Sequence, residues 1–220
     1  MYRRHFILGL AATALARVSS ANAANAATPK PKNSKPLTLL VLGDSLSAEY
    51  GLKRGSGWVA LLDNKLKTEN IQVSIVNASI SGDTTAGGRS RLPALLAQHR
   101  PTHLIIELGA NDALRGLPLE STRENLSQMV STARAASIQV LLIGMQVPPN
   151  YGQDYSTRFA AVFASVAKSH QTALVPFLLK NVADAPDSLR LFQADRIHPR
   201  EEAHPTLLVN VWPELKKILK

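Results

Sequence analysis

The chain contains no cysteine. Disulfides are therefore excluded, and so is a lipid anchor carried on an N-terminal cysteine. Neither exclusion bears on export, because 220 residues can bury a core that needs no covalent staples. Long apolar runs are missing too. The one nearest the N-terminus, Phe6 to Ala16, is too short to span a bilayer comfortably. No block of Lys and Arg lies in the part expected to fold, which argues against a nucleic-acid footprint. There is no cluster with metal-ligand spacing, no internal repeat and no sign of a second domain, so neither a metal nor another cofactor is expected.

What is present begins with the first residues. Arg3 and Arg4 precede the apolar run, small-residue cleavage patterns follow at Ala21-Asn22-Ala23 and Ala24-Asn25-Ala26, and no acidic residue interrupts them. Residues 1–26 read as a secretory signal, with an Arg-Arg-x-Phe-Ile order similar to a twin-arginine signal. The competing reading is an uncleaved anchor. Residues 27–36, rich in Pro and Lys, read as an exposed linker, and 37–220 as one domain. Removing Arg3, Arg4 and Arg17 lowers the basic count from 25 to 22 against 16 acidic residues, a net +6. Scattered positive charge of this size suits solubility and some attraction to anionic surfaces. The expected location is the periplasm or the exterior of a bacterial cell, as a monomer with no stable membrane insertion once the signal is removed.

From Leu37 onward, short apolar runs at 37–42, 71–76, 103–108, 140–144 and 173–177 read as parallel strands buried on both faces. Helical periodicity lies between them. It runs through Trp58, Val59, Leu61, Leu62 and Leu66, through Leu126, Met129 and Val130, through Phe159, Val162, Phe163 and Val166, and from Leu207 to Leu219. Pro205 suits a first helical turn, whereas Pro213 should kink or divide the last helix. Strand–helix alternation gives an open parallel α/β sheet with helices on both sides.

In such sheets functional groups gather at the carboxyl ends of the strands. Gly43-Asp44-Ser45 follows the first strand, Ser81-Gly82-Asp83 the second and Gly109-Ala110-Asn111-Asp112 the third. Each alone is an ordinary polar turn. Together they bring a serine, a glycine able to present its N–H and an asparagine amide to one rim. A nucleophilic serine also needs a base and donors for its oxyanion. His99, His103 and His170 read as surface or capping residues. His198 stands apart because Asp195 precedes it by three residues, so a tight turn can set the carboxylate against one imidazole nitrogen and leave the other for Ser45.

Gly43-Asp44-Ser45-Leu46, Gly82, Gly109-x-Asn111-Asp112 and Asp195-x-x-His198-Pro199 resemble the four motif blocks of the GDSL/SGNH hydrolase superfamily. "LGDSLSAEYG", "ELGANDALRG" and "PPNYG" extend the likeness to its bacterial periplasmic thioesterase, arylesterase and lysophospholipase branch. That resemblance implies a three-layer, flavodoxin-like α/β/α fold and a catalytic triad of Ser45, His198 and Asp195. It also implies oxyanion donors at the Ser45 N–H, the Gly82 N–H and the Asn111 side chain. No Gly-x-Ser-x-Gly elbow surrounds Ser45, so an α/β-hydrolase is not expected. The implied substrates are small acyl esters and fatty acyl thioesters, with lysophospholipids as a further class. Leu114, Leu117, Pro148, Pro149 and Tyr151 are candidates for an apolar wall along an acyl chain. The alternatives are a carbohydrate O-deacetylase of the same superfamily and a non-catalytic lipid-binding protein. Three features depart from the branch: Glu49 stands where a small residue is usual, "LKRGSGW" looks longer than its counterpart, and Pro213 lies in the last helix, far from the chemistry.

Overall fold

Val41, Leu42 and their neighbours Leu39 and Leu40 are completely buried, as a strand covered on both faces requires. They belong to β1 (Leu37–Gly43), the first element of a computed structural model that describes residues 37–220. The expected signal (1–26) and linker (27–36) lie outside the described residues. The chain continues through α1 (Trp58–Thr68), β2 (Val73–Asn77), α2 (Thr85–His99), β3 (His103–Glu107), α3 (Ala110–Leu114) and α4 (Leu119–Ala135). It ends with β4 (Gln139–Ile143), α5 (Gln153–His170), β5 (Ala173–Val175) and α6 (His204–Ile218). All strand pairs are parallel, in the order β2-β1-β3-β4-β5. This is the flavodoxin-like order, with its switch point between β1 and β3.

Helices α1 and α6 pack on one another over one face, and α2, α4 and α5 cover the other, giving the three layers expected. Helices α1, α4, α5 and α6 bury residues of the stripes their sequence periodicity marks out. In α5, for example, Phe159, Val162, Phe163, Val166 and Ala167 are all buried. Helix α2 has no such stripe, since its buried residues are only Thr85, Gly88 and Leu92. It is held close instead. A Cβ on Gly88 would lie 2.3 Å from the Leu108 side chain, so a larger residue there would force that leucine to shift.

Three expectations from the sequence need correction. β2 is not buried on both faces: it is an edge strand with Ser74 and Asn77 exposed, and among the described residues no strand pairs with its outer side. Pro213 does not divide α6, which runs unbroken from His204 to Ile218. The hydrogen bond that Pro213 cannot make would go to the carbonyl of Val209, a residue exposed on the outer face of α6. His103, read as a surface or capping residue, is buried in β3 rather than at the surface. Its Nε2 lies 2.8 Å from the Ile218 carbonyl, tying the end of α6 to the start of the central strand.

Glu107 ends β3 in register with Gly43 and is buried beneath the turn that follows β1. Its Oε2 accepts the Ser47 hydroxyl at 2.7 Å and the Asp44 N–H at 3.4 Å. Burial, and then the neighbouring Asp44 charge, push the Glu107 carboxyl well above the usual carboxylate range. A carboxyl raised in the fold stabilises it below the pKa of the unfolded chain, and that contribution is lost as pH rises toward the folded value. Glu107→Gln keeps the shape and the acceptor oxygen without the ionisation. Melting curves should therefore show little difference from wild type at pH 4 and a higher Tm for the variant at pH 8. The gain should be about 2–4 °C for each kcal/mol recovered. An equal offset at both pH values would refute the role given to ionisation.

Candidate active site

The sequence after β1 turns at once. Asp44 Oδ1 accepts the Leu46 N–H at 3.0 Å, and the Asp44 carbonyl accepts from Ser47 at 3.2 Å and Ala48 at 3.0 Å. This Asx-type turn lifts Ser45 to the rim while Asp44 and Ser47 stay buried. The Ser45 hydroxyl meets His198 Nε2 at 2.8 Å, and His198 Nδ1 meets Asp195 Oδ2 at 2.7 Å. The base and the acid come from one turn. Asp195 Oδ1 accepts the N–H groups of Ile197 at 2.9 Å and His198 at 3.0 Å, with Arg196 left-handed between them.

Burial acts to raise the Asp195 carboxyl, but the His198 N–H, the His198 ring and the Ile197 N–H together outweigh it and hold the pKa at about 2. An ionised Asp195 accepts the Nδ1 proton, which leaves Nε2 as the acceptor for the Ser45 hydroxyl. A hydroxyl bonded to an imidazole whose far nitrogen is held by a carboxylate is built for proton removal from that hydroxyl. Tyr50 lies over the imidazole, with ring centroids 4.3 Å apart.

Asn111, on α3, sits between the turns after β1 and β2. Its Nδ2 donates to Asp44 Oδ2 and to the Asp83 carbonyl, each at 2.9 Å. Asp44 and Asp83 are the neighbours of Ser45 and Gly82, so one amide joins both loops. Gly82 has φ +78°, a conformation that favours glycine, and its carbonyl accepts from Arg115 Nη2 at 2.6 Å. Among the described residues, the N–H groups of Ser45 and Gly82 have no protein acceptor. Burial pushes the Asp44 carboxyl up to about 7, although the Leu46 N–H and the Asn111 amide oppose the shift. Asp83 is held by Arg91 Nε at 2.8 Å, and buried Asp112 by the Thr85 N–H at 2.9 Å.

The candidates for an acyl wall are arranged unequally. Leu114 and Leu117 are exposed on the stretch that follows Asn111. Pro148 is exposed too, ahead of a 3₁₀ turn spanning Pro149–Tyr151. Tyr151 is half-buried and stacks on Tyr155 at 5.9 Å, which anchors it to α5.

Glu49, unexplained by the sequence, reaches into the loop that leads to α1. Its carboxylate accepts the N–H groups of Gly57 at 2.8 Å and Gly55 at 3.0 Å. His204 was missed by sequence reasoning: buried at the start of α6, its Nδ1 accepts the Trp58 N–H at 3.0 Å. Only its place six residues after His198 could have flagged it.

Comparison with known proteins places the fold in one family. A family model described as GDSL-like Lipase/Acylhydrolase matches residues 41–205, which takes in every motif block above. Esterase TesA of Pseudomonas aeruginosa is 52% identical over 182 residues, covering 83% of this chain and 89% of that protein. Thioesterase 1/protease 1/lysophospholipase L1 of Escherichia coli is 43% identical over 168 residues, 76% of this chain and 78% of its own. Among solved structures, the psychrotrophic esterase EstA from Pseudoalteromonas sp., inhibited by monoethylphosphonate, superposes with a TM-score of 0.77 at 41% identity. That match covers 83% of this chain and 98% of the esterase. With fold, sequence and the loops after β1, β2 and β3 all in agreement, this chain belongs to the GDSL-like lipase/acylhydrolase family.

Proposed function

We propose that the protein hydrolyses acyl esters and fatty acyl thioesters by way of an acyl-enzyme on Ser45. The observation that carries this reading is the unbroken row Asp195–His198–Ser45, with separations of 2.7 and 2.8 Å. His198 takes the hydroxyl proton as Ser45 Oγ attacks the acyl carbonyl, and returns it to the departing alcohol or thiol. Water, deprotonated by the same imidazole, then releases the acid and regenerates the serine. Asp195 holds the ring in the required tautomer throughout.

The oxyanion is held by the N–H groups of Ser45 and Gly82 and by the Asn111 amide. Asn111 has both amide protons engaged in the free protein, so it serves an oxyanion by sharing one of them. Leu114, Leu117, Pro148, Pro149 and Tyr151 are the residues assigned to contact the acyl chain. Lysophospholipids extend the substrate range. Residues 1–26 direct export to the periplasm or beyond, and the linker 27–36 precedes a monomeric catalytic domain. Among the described residues no helix is long and apolar enough to cross a membrane.

The decisive experiment uses the mature domain with p-nitrophenyl esters of graded length, an acyl-CoA and a lysophospholipid, beside Ser45→Ala. The wild type should turn over medium and long chains and thioesters, and Ser45→Ala none. A phosphonate should label the wild type once, at Ser45. Activity confined to acetyl groups would favour the carbohydrate deacetylase, and labelling at another serine would remove Ser45 from its role. Loss of one oxyanion donor costs ~10²–10³ in rate, so Asn111→Ala should lose about that much kcat while remaining folded at the assay temperature. Near-full activity in that variant would exclude the amide from the oxyanion site. Export predicts that intact-mass measurement of the periplasmic form finds a chain beginning within residues 22–28. A full-length chain there would contradict cleavage.

A further inference from the structure

During acylation the departing atom takes its proton from His198 Nε2, so it has to come within hydrogen-bond reach of that nitrogen. A side chain that borders the His198 ring from the solvent side therefore borders the leaving group. Tyr50 is such a side chain. Its ring lies 4.3 Å from the imidazole, centroid to centroid, at a tilt of 39°, and the residue is 49% exposed. An aromatic ring packed on the catalytic base yet half in water keeps an uncovered surface beside the point of departure.

The backbone leaves that ring little freedom to drift. The Tyr50 N–H donates to the Ser45 carbonyl at 3.4 Å, and the Tyr50 carbonyl accepts from Gln193 Nε2 at 3.0 Å. Gln193 belongs to the His198 turn: its N–H donates to the His198 carbonyl at 2.8 Å, and its Nε2 also reaches the Pro199 carbonyl at 3.1 Å. Gly51 makes room for this side chain, since a Cβ there would lie 2.2 Å from Gln193 Oε1. On the other flank, Glu49 is left-handed at φ +59°, and its carboxylate accepts the N–H groups of Gly55 at 3.0 Å and Gly57 at 2.8 Å. The loop after Tyr50 is thereby folded back onto Glu49. Both neighbours of Tyr50 are thus engaged, and its ring is presented at the rim.

We propose that Tyr50 is a specificity-determining residue that forms the leaving-group subsite and favours esters of planar aromatic alcohols. Aromatic rings attract one another in offset or edge-on arrangements beyond the area they bury. A phenol carries its ring directly on the departing oxygen, which places that ring beside Nε2 and hence beside Tyr50. An ethyl group offers no such face. In the step itself, the Ser45 Oγ–acyl bond forms, the bond from the acyl carbon to the phenol oxygen breaks, and the phenol leaves with the proton that His198 took from Ser45. The preference concerns the alcohol alone and is independent of the acyl-chain contacts assigned above.

The proposal rests on the triad reading, so Ser45→Ala is assayed alongside. Turnover by Ser45→Ala would remove the triad, whereas lost discrimination in an active enzyme labelled at Ser45 removes only the subsite. Phenyl butyrate and ethyl butyrate share one acyl group, and comparing each variant with wild type on the same ester cancels their intrinsic reactivity. The ratio kcat/KM, per active site titrated with phosphonate, reports the steps in which the leaving group is still present. Tyr50→Ala should lower it about five- to tenfold for phenyl butyrate and less than about twofold for ethyl butyrate. Tyr50→Phe keeps the ring and should stay within about twofold of wild type on both. An equal loss on the two esters overturns the proposal, because the ring would then serve only to steady His198. An unchanged phenyl ester rate in Tyr50→Ala overturns it as well, and so does a Tyr50→Phe variant that loses the aromatic preference. If the alanine variant fails to fold, Tyr50→Leu decides, since it keeps apolar bulk without an aromatic face. A loss there of about fivefold confined to the phenyl ester supports the subsite, and equal effects on both esters overturn it.

Discussion

The 2.8 Å bond from Ser45 to His198 joins residues 153 positions apart, and most of the rim is arranged so that it can form. A parallel sheet makes this possible. Every strand delivers its loop to the same edge, so turns after β1, β2 and β3 meet without special routing. The acid and the base need no such delivery, since both sit in one turn three residues apart. The folding problem at the site is therefore reduced to docking one preassembled turn, Gln193 to Pro199, against one loop. Two hydrogen bonds cross that docking: His198 to Ser45 and Gln193 to the Tyr50 carbonyl.

Beneath the serine lies a layer of acids that a core would ordinarily exclude. Asp44, Glu107 and Asp112 are almost fully buried, and each is bonded to N–H groups, hydroxyls or amides of the loops it supports. Burying carboxyls is costly unless their hydrogen bonds are satisfied. Here the satisfied bonds specify position: Asp44 shapes the turn under Ser45 and holds Asn111, Glu107 holds Ser47, and Asp112 holds the start of α2. Sequence identity at these positions is therefore a geometric requirement. An apolar replacement would fill the space and leave the loops without their anchors.

How much of this was legible in the sequence follows from the range of each interaction. Strands buried on both faces announce themselves as apolar runs, and α1, α5 and α6 by their stripes. Helix α2 did not, because it is held by the Thr85–Asp112 contact and the close approach at Gly88, neither of which leaves an apolar period. Asp195 and His198 were readable because their contact is local. Glu49 and His204 were opaque for the opposite reason. A glutamate in a polar loop carries no mark of the N–H groups it will meet six and eight residues on, and the partner of His204 lies 146 positions away. The edge character of β2 was likewise invisible, since it depends on which strand is absent beside it.

Range also separates what the local turn can guarantee from what it cannot. Asp195 and His198 keep their mutual geometry wherever the turn goes, because both the carboxylate and the two N–H groups it accepts move together. The distance from His198 to Ser45 has no such protection: it depends on the relative placement of two chain segments. A single hydroxyl–imidazole bond contributes about 1 kcal/mol and is too weak to define that placement alone. The placement is shared instead with Gln193, bonded to the Tyr50 carbonyl, and with His204, bonded to the Trp58 N–H, and these bonds are made in the free protein. Preorganisation of this kind puts the ordering cost into folding, so that the reacting atoms meet without further rearrangement.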